Sequence, residues 1–143
     1  MVIVSQELLT IRKMDAEMTL PLRQQVLWPD KTLEECRVED DDLGEHYGVY
    51  QQGILVCVAS IFIQQDVARL RKFATLAAYQ RQGIGQFVLS RIIEDLQAAG
   101  VKVFWCDARE SAGTLYQRFG MTASGERFYK GDIPYRRMSV SFK

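Results

Sequence analysis

Leu70-Arg71-Lys72-Phe73-Ala74-Thr75-Leu76-Ala77-Ala78-Tyr79-Gln80-Arg81-Gln82-Gly83-Ile84-Gly85 decides how this chain folds, because an apolar-leaning run breaks there into a glycine turn that opens a long amphipathic segment. The reading is strand, anion-binding loop, helix. Past the turn, Val88, Leu89, Ile92, Ile93 and Leu96 recur at helical spacing with Arg91, Glu94 and Asp95 between them, so one face is apolar and the other charged. Gly100 supplies the stop.

The first turn of such a helix leaves its N–H groups without intrahelical partners, and they carry a partial positive charge that suits phosphate oxygens. Gly83 and Gly85 have no Cβ to hold a ligand off, so Gln80 to Gly85 can present several amides to one pyrophosphate. Two common phosphate loops do not fit. A dinucleotide fingerprint needs a third glycine where Val88 stands, and a nucleoside-triphosphate loop needs Gly-Lys-Ser/Thr. What remains is Gln-x-x-Gly-x-Gly, which by itself also fits a strand-to-helix turn that binds nothing.

The 143 residues, 48% apolar and 10% aromatic, are enough for one domain with a substantial core. Eighteen basic and 18 acidic residues cancel, without a Lys/Arg block, which argues against a nucleic-acid backbone or an anionic membrane as the main partner. Cys36, Cys57 and Cys106 are odd in number and far apart, and there is one histidine, so neither a disulfide framework nor a metal site is expected. Glu7, Arg12 and Lys13 interrupt the start too early for a secretory core, and no run reaches membrane-spanning length; a cytoplasmic setting is the expectation.

Taken in order, Val2-Ile3-Val4 and Leu8-Leu9-Thr10-Ile11 are short apolar runs, of which at least the second should be a first strand. Asp15 marks a turn, and Thr19 through Trp28 carries a helical stripe of Leu22 and Val26, with Pro21 in a first turn and Pro29 as the stop. Thr32-Leu33-Glu34-Glu35 fits a capping box, and Glu39-Asp40-Asp41-Asp42 reads as a solvated loop. His46 to Tyr50 and Ile54 to Ile63 make a hairpin around Gln51-Gln52-Gly53. Val67 to Thr75 is a fourth strand that Arg69, Arg71 and Lys72 prevent from being evenly buried. Val101 to Asp107 must run parallel to it, because a helix crosses between them. Ala112 to Phe119 forms a last helix capped by Gly120, and Met121 to Tyr129 pairs with Tyr135 to Phe142 across Gly131-Asp132. No repeat or linker divides the chain, so a single domain over 1–143 is expected.

The glycine loop behind a strand and before a helix resembles the coenzyme A signature of the GCN5-related N-acetyltransferases (GNAT), and the element order is similar to theirs over essentially the whole chain. A second stretch strengthens the likeness: Ala112-Gly113-Thr114-Leu115-Tyr116-Gln117-Arg118-Phe119-Gly120-Met121 is similar to the family's Ala-x-x-Leu/Phe-Tyr-x-x-x-Gly-Phe. Leu70 to Thr75 and Gly131 to Met138 resemble a small bacterial subgroup of uncharacterised acetyltransferases. Departures are Ala77 where proline is common, Arg109 where asparagine is frequent, Met121 for phenylalanine and Tyr135 for a histidine of the subgroup.

The resemblance implies an α/β acyl-CoA N-acyltransferase fold, a mixed, mostly antiparallel sheet with a splayed parallel pair of fourth and fifth strands and helices on both faces. It also implies an activity, transfer of an acetyl group from acetyl-CoA to a primary amine by direct attack, with no metal. The pantetheine arm would lie on the backbone of Phe73, Ala74 and Thr75, the pyrophosphate on Gln80, Arg81, Gln82, Gly83, Ile84 and Gly85. Tyr116 would be the general acid for the departing thiolate. Helical spacing alone favours a core aromatic packed on Ala112, and the family register reverses that preference. Arg23, Trp28 and Tyr135 lie outside the cofactor motifs, on segments that the fold brings to the acceptor side, and are the expected acceptor contacts. Glu34, Glu35, Glu45, Glu110 and His46 are candidates for the base, each also fitting a surface, capping or structural role. A homodimer is admitted. The competing function is a catalytically silent acyl-CoA-binding module that regulates a partner.

Overall fold

The computed structural model describes residues 8–143, so Val2-Ile3-Val4 lies outside the described residues. The second apolar run opens β1 (Leu9–Met14). It is followed by α1 (Ala16–Leu27), β2 (Glu45–Gln51), β3 (Ile54–Gln64), β4 (Val67–Thr75), α2 (Ile84–Ala98), β5 (Val103–Arg109), α3 (Gly113–Gln117), β6 (Thr122–Lys130) and β7 (Ile133–Ser141). The seven strands form one sheet in the order β1-β2-β3-β4-β5-β7-β6. All neighbours are antiparallel except β4 and β5, where the crossover through α2 enforces the parallel pairing. This is the α/β fold the sequence implies.

α2 buries the periodic face read from the sequence, Val88, Leu89, Ile92 and Leu96 fully and Ile93 in part, and adds Ile84, all packed into the main core against one side of the sheet. Each such side chain contributes about 1.5–3 kcal/mol when fully withdrawn from water. On the opposite side, Leu22 of α1 meets Val58 of β3 and Ala74 of β4 in a smaller cluster. The sheet is therefore covered by a helix on each face near β4, and β4 is its best-buttressed strand.

Three local expectations need correction. α1 begins at Ala16, three residues before Thr19, so Pro21 sits inside the helix and the Glu17 carbonyl loses the donor that residue 21 would provide. The last helix is shorter than its apolar pattern, because Glu110–Ala112 forms a 3₁₀ turn ahead of Gly113. And the acidic run is not wholly solvated: Asp41–Leu43 is a 3₁₀ turn whose Asp41 is buried.

That Asp41 belongs to a closed polar network. Arg23 donates to both its carboxylate oxygens at 2.7 and 2.9 Å, to the Cys36 carbonyl at 3.2 Å and to Ser60 Oγ at 2.9 Å. The Val38 N–H donates to the same carboxylate. His46 Nε2 lies 2.9 Å from the Asp41 carbonyl, which can only accept, so that nitrogen carries a proton; Nδ1 is left to the Ser60 hydroxyl at 2.7 Å. The network ties α1 and the loop after it to β2 and β3, and so fixes how α1 sits against the sheet.

Candidate active site

The cleft originates in one extra residue. Along β3 and β4, Ser60 faces Arg71 and Val58 faces Ala74, so Lys72 and Phe73 share a single partner position at Ala59. Lys72 takes a positive φ of 53°, the mark of a bulge. Beyond it, β4 no longer follows β5: their ladder ends at Leu70 and Cys106. From there β4 stays with β3 while Asp107 to Arg109 stays with β7. The strands splay, and the side of Phe73 to Thr75 that faces β5 has no strand partner. A cleft of about 1070 Å³ opens at this point.

One end of the cleft is the start of α2. Gly83 is its N-cap with φ +83° and no capping side chain, and the first intrahelical bond runs from the Phe87 N–H to the Gly83 carbonyl. The amides of Ile84, Gly85 and Gln86 are thus the unpaired donors of the first turn. The glutamines of the motif serve the loop itself, Gln80 Nε2 donating to the Thr75 carbonyl at 3.0 Å and Gln82 Nε2 to the Ala78 carbonyl at 3.3 Å. The two glycines differ in their reasons. Around Gly83 a Cβ would meet nothing, so its conformation demands glycine; at Gly85 a Cβ would stand 3.2 Å from Phe73 Cζ. Close packing of helix on strand is what Gly85 permits. Arg81, exposed and also at positive φ, lines the same end.

Tyr116, on α3, is buried to 6% exposure and borders the cleft. Burial, and then the neighbouring Cys106, raise its phenol well above the usual value, so the group stays protonated through the neutral range. It therefore can donate a proton or hydrogen bond but cannot act as a base. The thiols beside it report on the same medium: burial pushes Cys57 and Cys106 up to about 12. A thiolate is costly there.

The other end of the cleft is side chain. Trp28 closes α1, and Tyr135, stacked on Phe128 with ring centroids 5.7 Å apart, comes from β7. Both border the cleft, as the sequence reading requires of acceptor contacts. Arg23 does not. It is fully buried in the network with Asp41 and does not line the cleft, so its expected acceptor role is withdrawn. Two cations that the sequence reading assigned no role stand in its place: Lys72 Nζ lies 4.0 Å from the Trp28 ring centroid and Lys130 Nζ 4.6 Å from that of Tyr135. The consecutive charges Arg71-Lys72 in a strand with apolar neighbours were the available signal of a bulge.

The base candidates are engaged elsewhere. Glu35 and Thr32 form the expected capping box, at 2.9 and 3.1 Å, and those hydrogen bonds hold the Glu35 carboxyl below the usual range. Glu34 pairs with Arg37, Glu45 with Lys13 and Glu110 with Arg127. His46 has both ring nitrogens bonded and is buried. Among the described residues no cluster of His, Cys, Asp or Glu could hold a metal ion, and no helix is long and apolar enough to cross a membrane.

Comparison with known proteins agrees with this geometry. An uncharacterised N-acetyltransferase of Bacillus subtilis (strain 168) is 29% identical over 136 residues, covering 89% of each chain. A crystal structure of the ribosomal-protein-S18-alanine N-acetyltransferase from Escherichia coli superposes with a TM-score of 0.78 over 93% of each chain at 22% identity. A GNAT family acetyltransferase from Elizabethkingia anophelis with acetyl-CoA bound gives 0.74 over 95% of this chain and 99% of that one, at 17% identity. The family model described as "Acetyltransferase (GNAT) domain" matches residues 28–142, a span that includes the bulge, the Gln80 to Gly85 loop and Tyr116, and the chain belongs to that family.

Proposed function

We propose that the protein transfers an acetyl group from acetyl-CoA to a primary amine by direct attack within a ternary complex. The observation that carries this reading is the coincidence, in one cleft, of an unpaired β4 edge, an amide-rich helix start and a buried, protonated phenol. The acetyl-CoA bound by the Elizabethkingia neighbour supports the choice of donor. Phe73, Ala74 and Thr75 hold the pantetheine arm by backbone, and the amides of Gln80 to Gly85 hold the pyrophosphate. A backbone N–H near Ala74 receives the developing oxyanion.

The amine nitrogen bonds to the thioester carbonyl carbon as the C–S bond breaks; the nitrogen gives up one proton to solvent, the sulfur takes one from the protein, and solvent returns a proton to the donor. Tyr116 supplies the sulfur's proton. An unprotonated leaving sulfur is a poor product in a partly buried cleft, and a protonated phenol beside it can deliver the proton as the C–S bond breaks. Trp28 and Tyr135 flank the acceptor. The test is release of free thiol from acetyl-CoA against a panel of amino acids, amino sugars, polyamines and peptide N-termini, including an alanine terminus. Thiol release with stoichiometric acetylated product supports transfer. Tight acetyl-CoA binding with no turnover on any amine replaces it by a silent binding module.

A further inference from the structure

The acceptor end of the cleft is electrostatically one-sided. Arg71, Lys72, Arg109 and Lys130 border it, and the carboxylate there, Asp107, is already shared by Arg69 at 3.3 Å and Arg137 at 3.1 Å. Lys72 takes part in none of the ion pairs among the described residues, and the charges that act on it come from Arg71, Lys130, Arg23 and Arg69, all positive. It is half-buried and held by its bulge backbone and by the Trp28 face. Lys130, on the facing hairpin, is likewise seated on Tyr135. Two ammonium groups resting on aromatic faces, with N–H donors left over, form a preorganised receptor for an anion.

We propose that the acceptor is an amine that also carries an anionic group, a carboxylate or a phosphate, bound between Lys72 and Lys130 while Trp28 and Tyr135 flank the carbon skeleton. The inference rests on the acetyl-transfer reading for the identity of the amine, but its core is a binding site. Burial and those like charges drive the Lys72 ammonium down to about 8. The same field acts on an acceptor ammonium that enters beside it, and favours its neutral, nucleophilic form. This removes the need for a dedicated base, which agrees with the engagement of Glu34, Glu35, Glu45, Glu110 and His46 elsewhere. Polyamines and aminoglycosides, which bring further positive charge, are excluded by the same field.

The test uses matched pairs with the whole protein and acetyl-CoA: an α-amino acid against its amide, an amino sugar phosphate against the unphosphorylated sugar, and a linear diamine. The anionic member of a pair should show kcat/KM at least ~10-fold above its neutral twin, as expected for a charge-assisted hydrogen bond, and the two pairs distinguish carboxylate from phosphate. Lys72→Met and Lys130→Met should each raise the KM of the anionic acceptor roughly 10-fold, shrink the preference over the neutral twin and leave the KM for acetyl-CoA unchanged. Better turnover of the neutral twins or the diamine overturns the proposal, as does an undiminished preference in both variants. Calorimetry on the CoA-loaded protein with the N-acetylated amino acid and its amide, and with the N-acetylated amino sugar phosphate and its unphosphorylated twin, gives a readout that needs no turnover. Equal affinity within both pairs sinks the anion site; tighter anion binding in either pair without turnover of any amine keeps the site and sinks the transferase reading instead.

Discussion

At one end of the cleft, Gln80 to Gly85 offers backbone amides from a contiguous stretch of chain; at the other, Trp28, Lys72, Lys130 and Tyr135 offer side chains from the end of α1, the bulge of β4 and the β6–β7 hairpin. The first end needs only local conformation, fixed by Gly83 and by the Gln80 and Gln82 tethers. The second needs three separate elements to arrive together. Arg23 belongs to the second end without touching it, because its buried network fixes how α1 sits on the sheet and hence where Trp28, at the end of that helix, stands. Disturbing a backbone site should therefore change one affinity, whereas disturbing the scaffold of a side-chain site should change folding first.

The sharpest way to break that contrast is at the network. Arg23→Met leaves the Asp41 carboxylate buried without its partner and should cost about 3–5 kcal/mol of stability, read by urea unfolding. A loss below 1 kcal/mol would mean that the pair is not holding the loop. The acid limb follows from the same group. Burial alone would raise the Asp41 carboxyl, but Arg23 and the Val38 N–H outweigh it and hold the group below its usual value. Its contribution is complete above the unfolded carboxyl's pKa of about 3.9 and is lost as pH falls through the lower folded value. Asp41→Asn should flatten the unfolding free energy against pH on that side.

Next in size is the chemistry between the two ends. Tyr116→Phe keeps the ring and should lower kcat about 10²-fold with acetyl-CoA affinity preserved, measured on a verified acceptor. Full activity across the pH range would return Tyr116 to the role of a core aromatic. At the backbone end, Gly83→Asp and Gly83→Asn impose the same φ strain and nearly the same bulk but differ in charge. The aspartate should weaken CoA binding by roughly 10-fold more than the asparagine, since it places a negative charge where the pyrophosphate must sit. Equal calorimetric affinities would move the phosphates elsewhere. The smallest effect belongs to Gly85→Ala, whose Cβ at 3.2 Å from Phe73 asks for a slight shift of that ring; alanine's better helix propensity offsets part of that strain, and stability should change by less than about 1 kcal/mol.

Legibility followed the same division. The glycine turn, α2 and the parallel β4–β5 pair were readable because glycine spacing and the 3.6-residue period are local signals: Val88, Leu89, Ile92 and Leu96 are buried where the period puts them, and Ile93 packs against the same core half-buried. Arg23 reads as an acceptor contact because an arginine on a polar stretch of helix looks free to meet a ligand until its partner is known, and Asp41 lies 18 residues away inside an acidic run that itself looks solvated. Lys130 was passed over for a related reason: nothing in β6 announces that Tyr135, five residues on, turns its ring beneath it. Tyr116 was readable only through resemblance, since its burial suits a core residue as well as a donor.

The bulge at Lys72 can also be described as a matter of chain length. On either side of it the faces of β4 stay in step: Leu70 and Phe73 point to the α2 side, Ala74 to the α1 side, and their partners on β3 alternate to match. Removing one residue at 72 would leave every inward side chain inward, yet erase the kink that parts β4 from β5. The two strands could then go on pairing past Leu70 and Cys106 and close the sheet. The product would keep the fold and the core and lose the opening, so a single-codon deletion separates a scaffold from a scaffold with somewhere to put a substrate.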